Sequence, residues 1–290
     1  VISGFLPVDK AASWTSHDVV AKVRAIVGQR RVGHAGTLDP LATGLLVLGV
    51  GKATRLLRFV QSCEKEYVAR VVFGVTTDTL DGDGAILHRE PMCFEASDLV
   101  NIVGRFIGVI AQVPPMVSAV KVGGTRLYEL ARSGREVERA ARTVEVYDID
   151  VLDFAPGPYP EATLQIRCGS GTYVRSLAAD IGQALGGGAH VGALRRTRIG
   201  WMDVDRDGLA IEELLVSDPE RLVVSMARGL AHLPSVQVGD EMAEAVGHGR
   251  RFSIDTFDST GETAVLDTNG ELLAVYGLRE LMWCPEVVVA

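Results

Sequence analysis

Cysteine is scarce in this chain: Cys63, Cys93, Cys168 and Cys284 lie far apart, with no C-x-x-C among them. That spacing excludes a disulfide scaffold, a zinc ribbon and a thioredoxin-type centre. No apolar run approaches the ~18 residues of a membrane span, and the first residues lack the basic, apolar, small-residue order of a secretory signal. A reducing cytoplasm is the expected setting, with no membrane partner. The chain opens at Val1 and not Met, so leading residues are expected ahead of it. There is no metal-ligand cluster, dinucleotide fingerprint, internal repeat or low-complexity tract.

Two near misses bear on cofactors. Gly51-Lys52 follows an apolar run, but a phosphate loop needs glycine where Leu46 stands and Ser or Thr where Ala53 stands. The stretch Thr79-Leu-Asp81-Gly-Asp83-Gly84 with Glu90 imitates a calcium loop, yet Thr79 replaces the first aspartate and Pro91 stands where a helix should start. A hairpin turn accounts for it better.

What is present is an ordinary folding composition: 290 residues, 47% hydrophobic and 23% charged. The net charge of −8 is unevenly placed, because residues 201–290 hold 6 Lys/Arg against 17 Asp/Glu. Residues 1–60 carry eight basic side chains (Lys10, Lys22, Arg24, Arg30, Arg31, Lys52, Arg55, Arg58) against Asp9, Asp18 and Asp39. A polyanion could dock on that end despite the total, although a solvated rim would look the same by charge alone.

Gly4–Val8 reads as a strand. Thr15 or Ser16 then caps a helix whose Val19, Val20, Val23, Ile26 and Val27 follow helical spacing up to Gly28. The loop from Val32 to Gly44 sets three glycines and Pro40 around Asp39, ahead of the apolar run Leu45–Val50. Tyr67–Val75 reads as a strand, Thr76–Gly84 as its turn, and Asp98–Ile107 as helix. Val144–Phe154 and Thr163–Cys168 read as strands, the second leading through Gly169-Ser-Gly-Thr172 into a helix with Val174, Leu177, Ala178, Ile181 and Leu185 on one face. Residues 116–142 are expected to be extended, then briefly helical around Leu127–Arg132, then basic. Beyond about residue 225, short strands such as Thr263–Asp267 and Leu272–Gly277 alternate with turns, as in a small β domain. The expected fold class is therefore α+β, with a largely antiparallel sheet.

Asp39 has the most unusual surroundings of any carboxylate. Pro40 favours an extended backbone before it, the glycines allow a ligand close, and His34, Arg30 and Arg31 are near in sequence. A plain Asp-Pro turn explains the same composition. Arg175 lies in the first turn of a helix opening from Gly-Ser-Gly-Thr, where an anion would be welcome, or where a solvated arginine would simply sit.

Together these segments carry a family pattern. Gly33-His-Ala-Gly-Thr-Leu-Asp39-Pro-Leu-Ala-Thr-Gly44 closely resembles the signature of the TruB family of tRNA pseudouridine synthases. Lys65-Glu-Tyr67 with Thr77-Asp-Thr-Leu-Asp81-Gly-Asp-Gly84, Gln112-Val-Pro-Pro-Met-Val-Ser118-Ala-Val-Lys121, Leu127-Tyr-Glu-Leu-Ala-Arg132 and Gly171-Thr-Tyr173-Val-Arg175 follow in the family's order. The family's Asp-Lys-Pro-x-Gly-x-Thr-Ser appears as Asp9-Lys-Ala-Ala-Ser-Trp-Thr15-Ser16, without the proline and the glycine.

The resemblance implies an isomerase that converts the T-loop uridine at position 55 of tRNA to pseudouridine, with neither cofactor nor metal. It implies a pseudouridine synthase-like catalytic domain over residues 1–228, with 116–142 as an insertion closing on RNA. Residues 232–290 would form a small β-barrel-like, PUA-like domain. The expected partner is the tRNA T-arm, met by a monomer with no obligatory protein partner. Asp39 would be the carboxylate beside the glycosidic carbon, attacking C1′, attacking the ring or assisting elimination to a glycal. Arg175 would pair with it, and Tyr67 would stack on the uracil and move a proton. His34 would sit near the flipped nucleotide, and Lys10, Lys52, Arg55, Tyr173, Lys121 and Arg132 would contact substrate. Two other classes compete: an RNA-binding or chaperone protein without chemistry, and a carboxylate hydrolase, which would want two acids across one cleft.

Overall fold

The structure is a computed structural model that describes residues 2–116, 121–122, 125–126, 137 and 139–290. Its strands are β1 (Gly4–Lys10), β2 (Val32–His34), β3 (Thr43–Val50), β4 (Lys65–Phe73), β5 (Val75–Thr77), β6 (Ile86–Arg89), β7 (Gly108–Gln112), β8 (Lys121–Val122), β9 (Thr125–Arg126), β10 (Arg142–Ala155), β11 (Glu161–Cys168), β12 (Ala189–Ile199) and β13 (Met202–Asp203), then β14 (Ser235–Gln237), β15 (Phe252–Ser253), β16 (Thr263–Leu266), β17 (Leu272–Arg279) and β18 (Met282–Val288). Among the described residues, nine of these form one sheet in the order β1-β3-β12-β4-β11-β10-β7, with β2 on β3 and β13 on β12. Its pairings are antiparallel except β3 with β12, which run parallel at Thr43 and Gly44. The fold is thus mixed α+β, as the strand-rich pattern predicts.

That parallel contact makes Gly44 indispensable. Its φ is +96°, and a Cβ there would stand 2.3 Å from the Arg196 carbonyl oxygen. Only glycine lets β3 leave the Asp39 loop this close to β12. Period-two alternation turns Lys65, Tyr67, Ala69, Val71 and Phe73 of β4 to one buried face. Ala162, Leu164, Ile166 and Cys168 of β11 do likewise. The helix Val174–Ala184 covers the sheet with Val174, Leu177, Ala178 and Ile181, while Leu185 ends it as the C-cap.

The first helix, Ser16–Val27, is delimited as its ends suggest: Thr15 and Asp18 form a capping box, and Gly28 closes it at φ +63°. Thr15 is the cap. Ser16 instead turns inward, its Oγ accepting from Leu38 N at 2.8 Å, so the helix start is fastened to the residue before Asp39. Just upstream, Ser13 occupies the position where the family pattern has glycine, at φ +68°. A left-handed conformation costs a non-glycine residue about 1–2 kcal/mol, partly offset by the extra freedom glycine has when unfolded. Ser13→Gly should therefore stabilise the fold by about 1 kcal/mol in urea unfolding. A variant no more stable than the parent would mean that this turn carries no strain.

The expected helix over 98–107 is Ala96–Val103, followed by a 3-10 turn, Gly104–Phe106, before β7. The hairpin is β5 with β6. The expected helix around Leu127–Arg132, like most of the 116–142 insertion, lies outside the described residues.

The C-terminal strands make a second, curled sheet of five, in the order β14-β16-β17-β18-β15, consistent with the expected PUA-like unit. It has its own core, in which Phe257 packs on Phe252, Tyr276 and Trp283. A second apolar cluster runs continuously from Phe5, Leu45, Leu56 and Phe59 into Leu230, Ala264, Val275 and Val287. The expected division at residue 228 falls within the short helix Met226–Gly229, whose Met226 and Ala227 pack into this cluster, so apolar packing continues across that point. Among the described residues, no helix is long and apolar enough to cross a membrane.

Candidate active site

Three chain segments meet through Arg175: the loop between β2 and β3, the β5–β6 turn and the start of the helix Val174–Ala184. Arg175, at that helix start, is 4% exposed. Its Nε donates to Asp39 Oδ2 at 3.0 Å, and its Nη1 reaches Asp81 Oδ2 at 3.1 Å and the Thr79 carbonyl oxygen at 2.7 Å. One guanidinium thus bridges two carboxylates and a carbonyl, a geometry its planar fork supports and an ammonium cannot. Asp81 is buried, and its second oxygen accepts from Thr79 Oγ1 at 2.5 Å. Asp39 keeps 36% of its side chain exposed, so of the two acids it is the one that faces outward.

Asp39 faces a cleft of about 310 Å³ whose walls include Gly36–Leu38, Lys65, Tyr67, Tyr173 and Arg196. That size lies at the small end of ligand sites. Burial pushes the Asp39 carboxyl above its ordinary value; Arg175 opposes this, Asp81 adds to it, and Lys10 opposes it more weakly. Burial likewise raises the Tyr67 hydroxyl, with the Arg196 guanidinium pulling the other way. Tyr67 is 8% exposed and lines the cleft.

Two of the wall residues, Arg196 and Lys65, are buried cations. Arg196, 1% exposed, donates from Nε to the Leu45 carbonyl at 2.7 Å and from Nη2 to the Gly36 carbonyl at 3.2 Å, holding both ends of the Asp39 loop. Lys65 Nζ donates to the Gln61 and Cys63 carbonyls at 2.6 Å, and burial, then Arg196, lowers its pKa to about 8. Among the described residues, no His/Cys/Asp/Glu group could hold a metal ion.

Of the residues singled out from sequence, Asp39, Tyr67, Tyr173 and Arg175 converge on this cleft. His34 ends β2, half-buried, its ring edge-on to His17 at 5.7 Å between centroids. Burial and His17 lower its pKa. Lys10 is a correction. It is fully buried, its Nζ donating to the carbonyls of Ala11, Trp14 and Pro40 beneath the Asp39 loop, so it presents no face to an RNA phosphate. Burial lowers its pKa to about 8, and Asp39 raises it in return. Lys52 and Arg55 lie away from the cleft, on the C-terminal strand: Lys52 Nζ donates to the Val289 carbonyl at 2.7 Å and Arg55 Nη1 to that of Val288 at 2.6 Å. Lys121 is described in backbone only, within β8, and Arg132 lies outside the described residues.

Asp81, Arg196 and Lys65 were not singled out. For Arg196 strand alternation gave no signal, because its neighbours at period two are Leu194 and Arg198 and the register shifts on either side of it.

An aspartate ion-paired to an arginine thus opens on a tyrosine-lined cleft in a protein built on a mixed sheet. Residues 24–174 match the N-terminal domain of the TruB family of pseudouridylate synthases, and residues 175–217 match the tRNA pseudouridylate synthase B C-terminal domain. The chain belongs to the TruB family. The tRNA pseudouridine synthase B of Thermobifida fusca is 44% identical over 99% of this chain and 98% of its own. That of Heliobacterium modesticaldum is 42% identical over 86% and 81%. Among solved structures, a Cbf5-Nop10-Gar1 complex contains a chain similar at TM-score 0.75 and 29% identity, covering 94% of this chain and 78% of that one. A chain of an H/ACA RNP bound to a substrate RNA containing 2′-deoxyuridine gives 0.75 and 25%, covering 99% and 85%.

Proposed function

We propose that this chain, acting as a cytoplasmic monomer, converts the T-loop uridine at position 55 of tRNA to pseudouridine, with Asp39 as the essential carboxylate. Isomerisation of uridine in tRNA is the activity of the family; the position, the flipping of the base and the residue roles are inferred. The supporting observation is the Asp39–Arg175–Asp81 bridge, with Asp39 alone facing the cleft. The N1–C1′ bond breaks, a C5–C1′ bond forms, C5 releases a proton and N1 gains one. A base can undergo this only outside its stack. Tyr67 gives the extruded uracil a face to stack on, and Arg175 holds Asp39 aimed at the sugar. A hydrolase with two acids across a cleft is disfavoured, because Asp81 is buried on the same guanidinium.

The test uses tRNA tritiated at uracil C5. Label should pass to water with chelator present and no cofactor added, and sequencing should find pseudouridine at position 55. Retention of label would leave only an RNA-binding role.

The RNA path is supported by charge. A hollow of about 570 Å³ is lined by Arg24, Arg30, Arg31 and Arg55 with Val32, Gly33 and Thr54, and no acid is among its lining residues. Gly33 lines this hollow and Gly36 the cleft, at most about 10 Å apart along the chain. RNA entering the cleft would lay its backbone there, next to the C-terminal sheet that Arg55 touches. Arg30→Gln and Arg31→Gln should each lower the slope of log Kd against log salt by about 1 while the rate within bound tRNA stays unchanged. An unaltered slope would place the RNA elsewhere.

A further inference from the structure

Gln112 ends β7 and is 1% exposed, yet it belongs to none of the walls of the cleft. A buried amide must place both its donor and its acceptor, and here both go to one residue far along the chain. Gln112 Oε1 accepts from Tyr173 N at 2.7 Å, and Gln112 Nε2 donates to the Tyr173 carbonyl at 3.1 Å. The side chain imitates a neighbouring strand, giving Tyr173 the paired bonds that a sheet partner would supply. Beside it, Ser176 Oγ donates to the Val113 carbonyl at 2.9 Å. Two bolts therefore join the end of β7 to the residues on either side of Val174 and Arg175.

This matters because Tyr173 is the N-cap of the helix Val174–Ala184, with extended dihedrals of −100° and 106° and no side-chain cap of its own. The direction in which the chain enters that helix fixes where the Arg175 side chain begins. At its far end the guanidinium is anchored, Nη1 lying on Asp81 and the Thr79 carbonyl. Nε, the atom bonded to Asp39, is nearer the backbone. A shift of the helix start with the far end anchored would rotate the guanidinium and disturb the Nε contact first.

We infer that Gln112 is a positioning residue for the isomerisation, holding the Tyr173 backbone so that Arg175 Nε stays on Asp39. It touches neither substrate nor reacting atoms. The inference rests on the assignment of Asp39 as the essential carboxylate.

The test compares Gln112→Met, which keeps length and apolar packing but loses both bonds, with Gln112→Glu, which retains an acceptor for Tyr173 N. Single-turnover rates at saturating enzyme, tRNA Kd and thermal melts are measured across pH, with Asp39→Asn alongside. Misplacing a group by about 1 Å can cost about 100-fold in rate, and Gln112→Met should lose about that much with Kd changed less than about threefold. The charged groups facing Asp39 are Arg175, Asp81 and Lys10, with the Tyr67 hydroxyl nearby. Of these only the Arg175 contact should loosen, so the acid limb of the rate profile should move to higher pH. Gln112→Glu should fall between Gln112→Met and the parent. If Gln112→Met does not fold, Gln112→Asn, uncharged and one methylene too short to reach Tyr173, takes its place: an upward-moved acid limb there carries the inference, and a parental limb overturns it. A folded Gln112→Met with parental rate, or with a loss equal at every pH, overturns it while an inactive Asp39→Asn leaves the site intact. An active Asp39→Asn overturns both.

Discussion

Asp39→Asn should abolish pseudouridine formation, lowering the single-turnover rate by roughly 10⁴-fold or more, while tRNA affinity stays nearly unchanged. The amide keeps the shape of the side chain and loses the charge and nucleophilicity that glycosidic cleavage demands. In the parent enzyme the rate should rise with pH as Asp39 ionises, its midpoint above the ordinary aspartate value of about 3.9, since burial outweighs Arg175. The same shift sets the sign for stability. A carboxyl whose folded pKa is raised contributes stability below its unfolded pKa and loses it as pH rises through the folded pKa. At neutral pH the ionised Asp39 therefore weakens the fold, and Asp39→Asn should melt no lower than the parent. Melts and tritium release on one preparation check both halves. Full release by the variant would remove Asp39 from the catalytic role.

Much of the scaffold that positions this carboxylate was legible in sequence because its determinants are local. The helix Ser16–Val27 announces itself through valine spacing and Gly28, and β4 and β11 through alternation ended by turns. Asp39 and Arg175 could be found by motif, but their contact spans distant segments and no local pattern carries it. Asp81 shows why. In sequence it is one more turn aspartate in Asp78–Gly84, and the turn itself is real. Its burial comes from docking of that turn on β12, where Gly82 N donates to the Val191 carbonyl at 2.9 Å and Val191 N to that of Leu80 at 3.1 Å. Lys10 misled for the converse reason. Charge in a basic segment suggests a phosphate contact, yet β1 is buried on both faces and the ammonium finds carbonyls beneath the Asp39 loop. Arg196 escaped notice because its partners, the carbonyls of Gly36 and Leu45, converge only when β3 lies against β12.

Arg175→Ala should be the most destabilising change in the site and should also stop the reaction. Removing the guanidinium strands Asp81 in the interior, and breaking a buried pair this way costs about 3–5 kcal/mol. Arg175→Lys separates the two effects. It keeps a positive charge near Asp81, so most of the stability should survive, but a single ammonium cannot reproduce contacts at Nε and Nη1 together. Its single-turnover rate should fall about 100-fold with tRNA affinity retained. The pair Arg175→Ala with Asp81→Asn completes the separation: without the stranded charge, stability should return toward the parent, while Asp39 still lacks its partner and turnover stays absent. Chemical denaturation and tritium release read the two axes independently. An Arg175→Lys enzyme at parental rate would show that charge alone suffices and that the bridge from Asp39 to Asp81 serves only the fold.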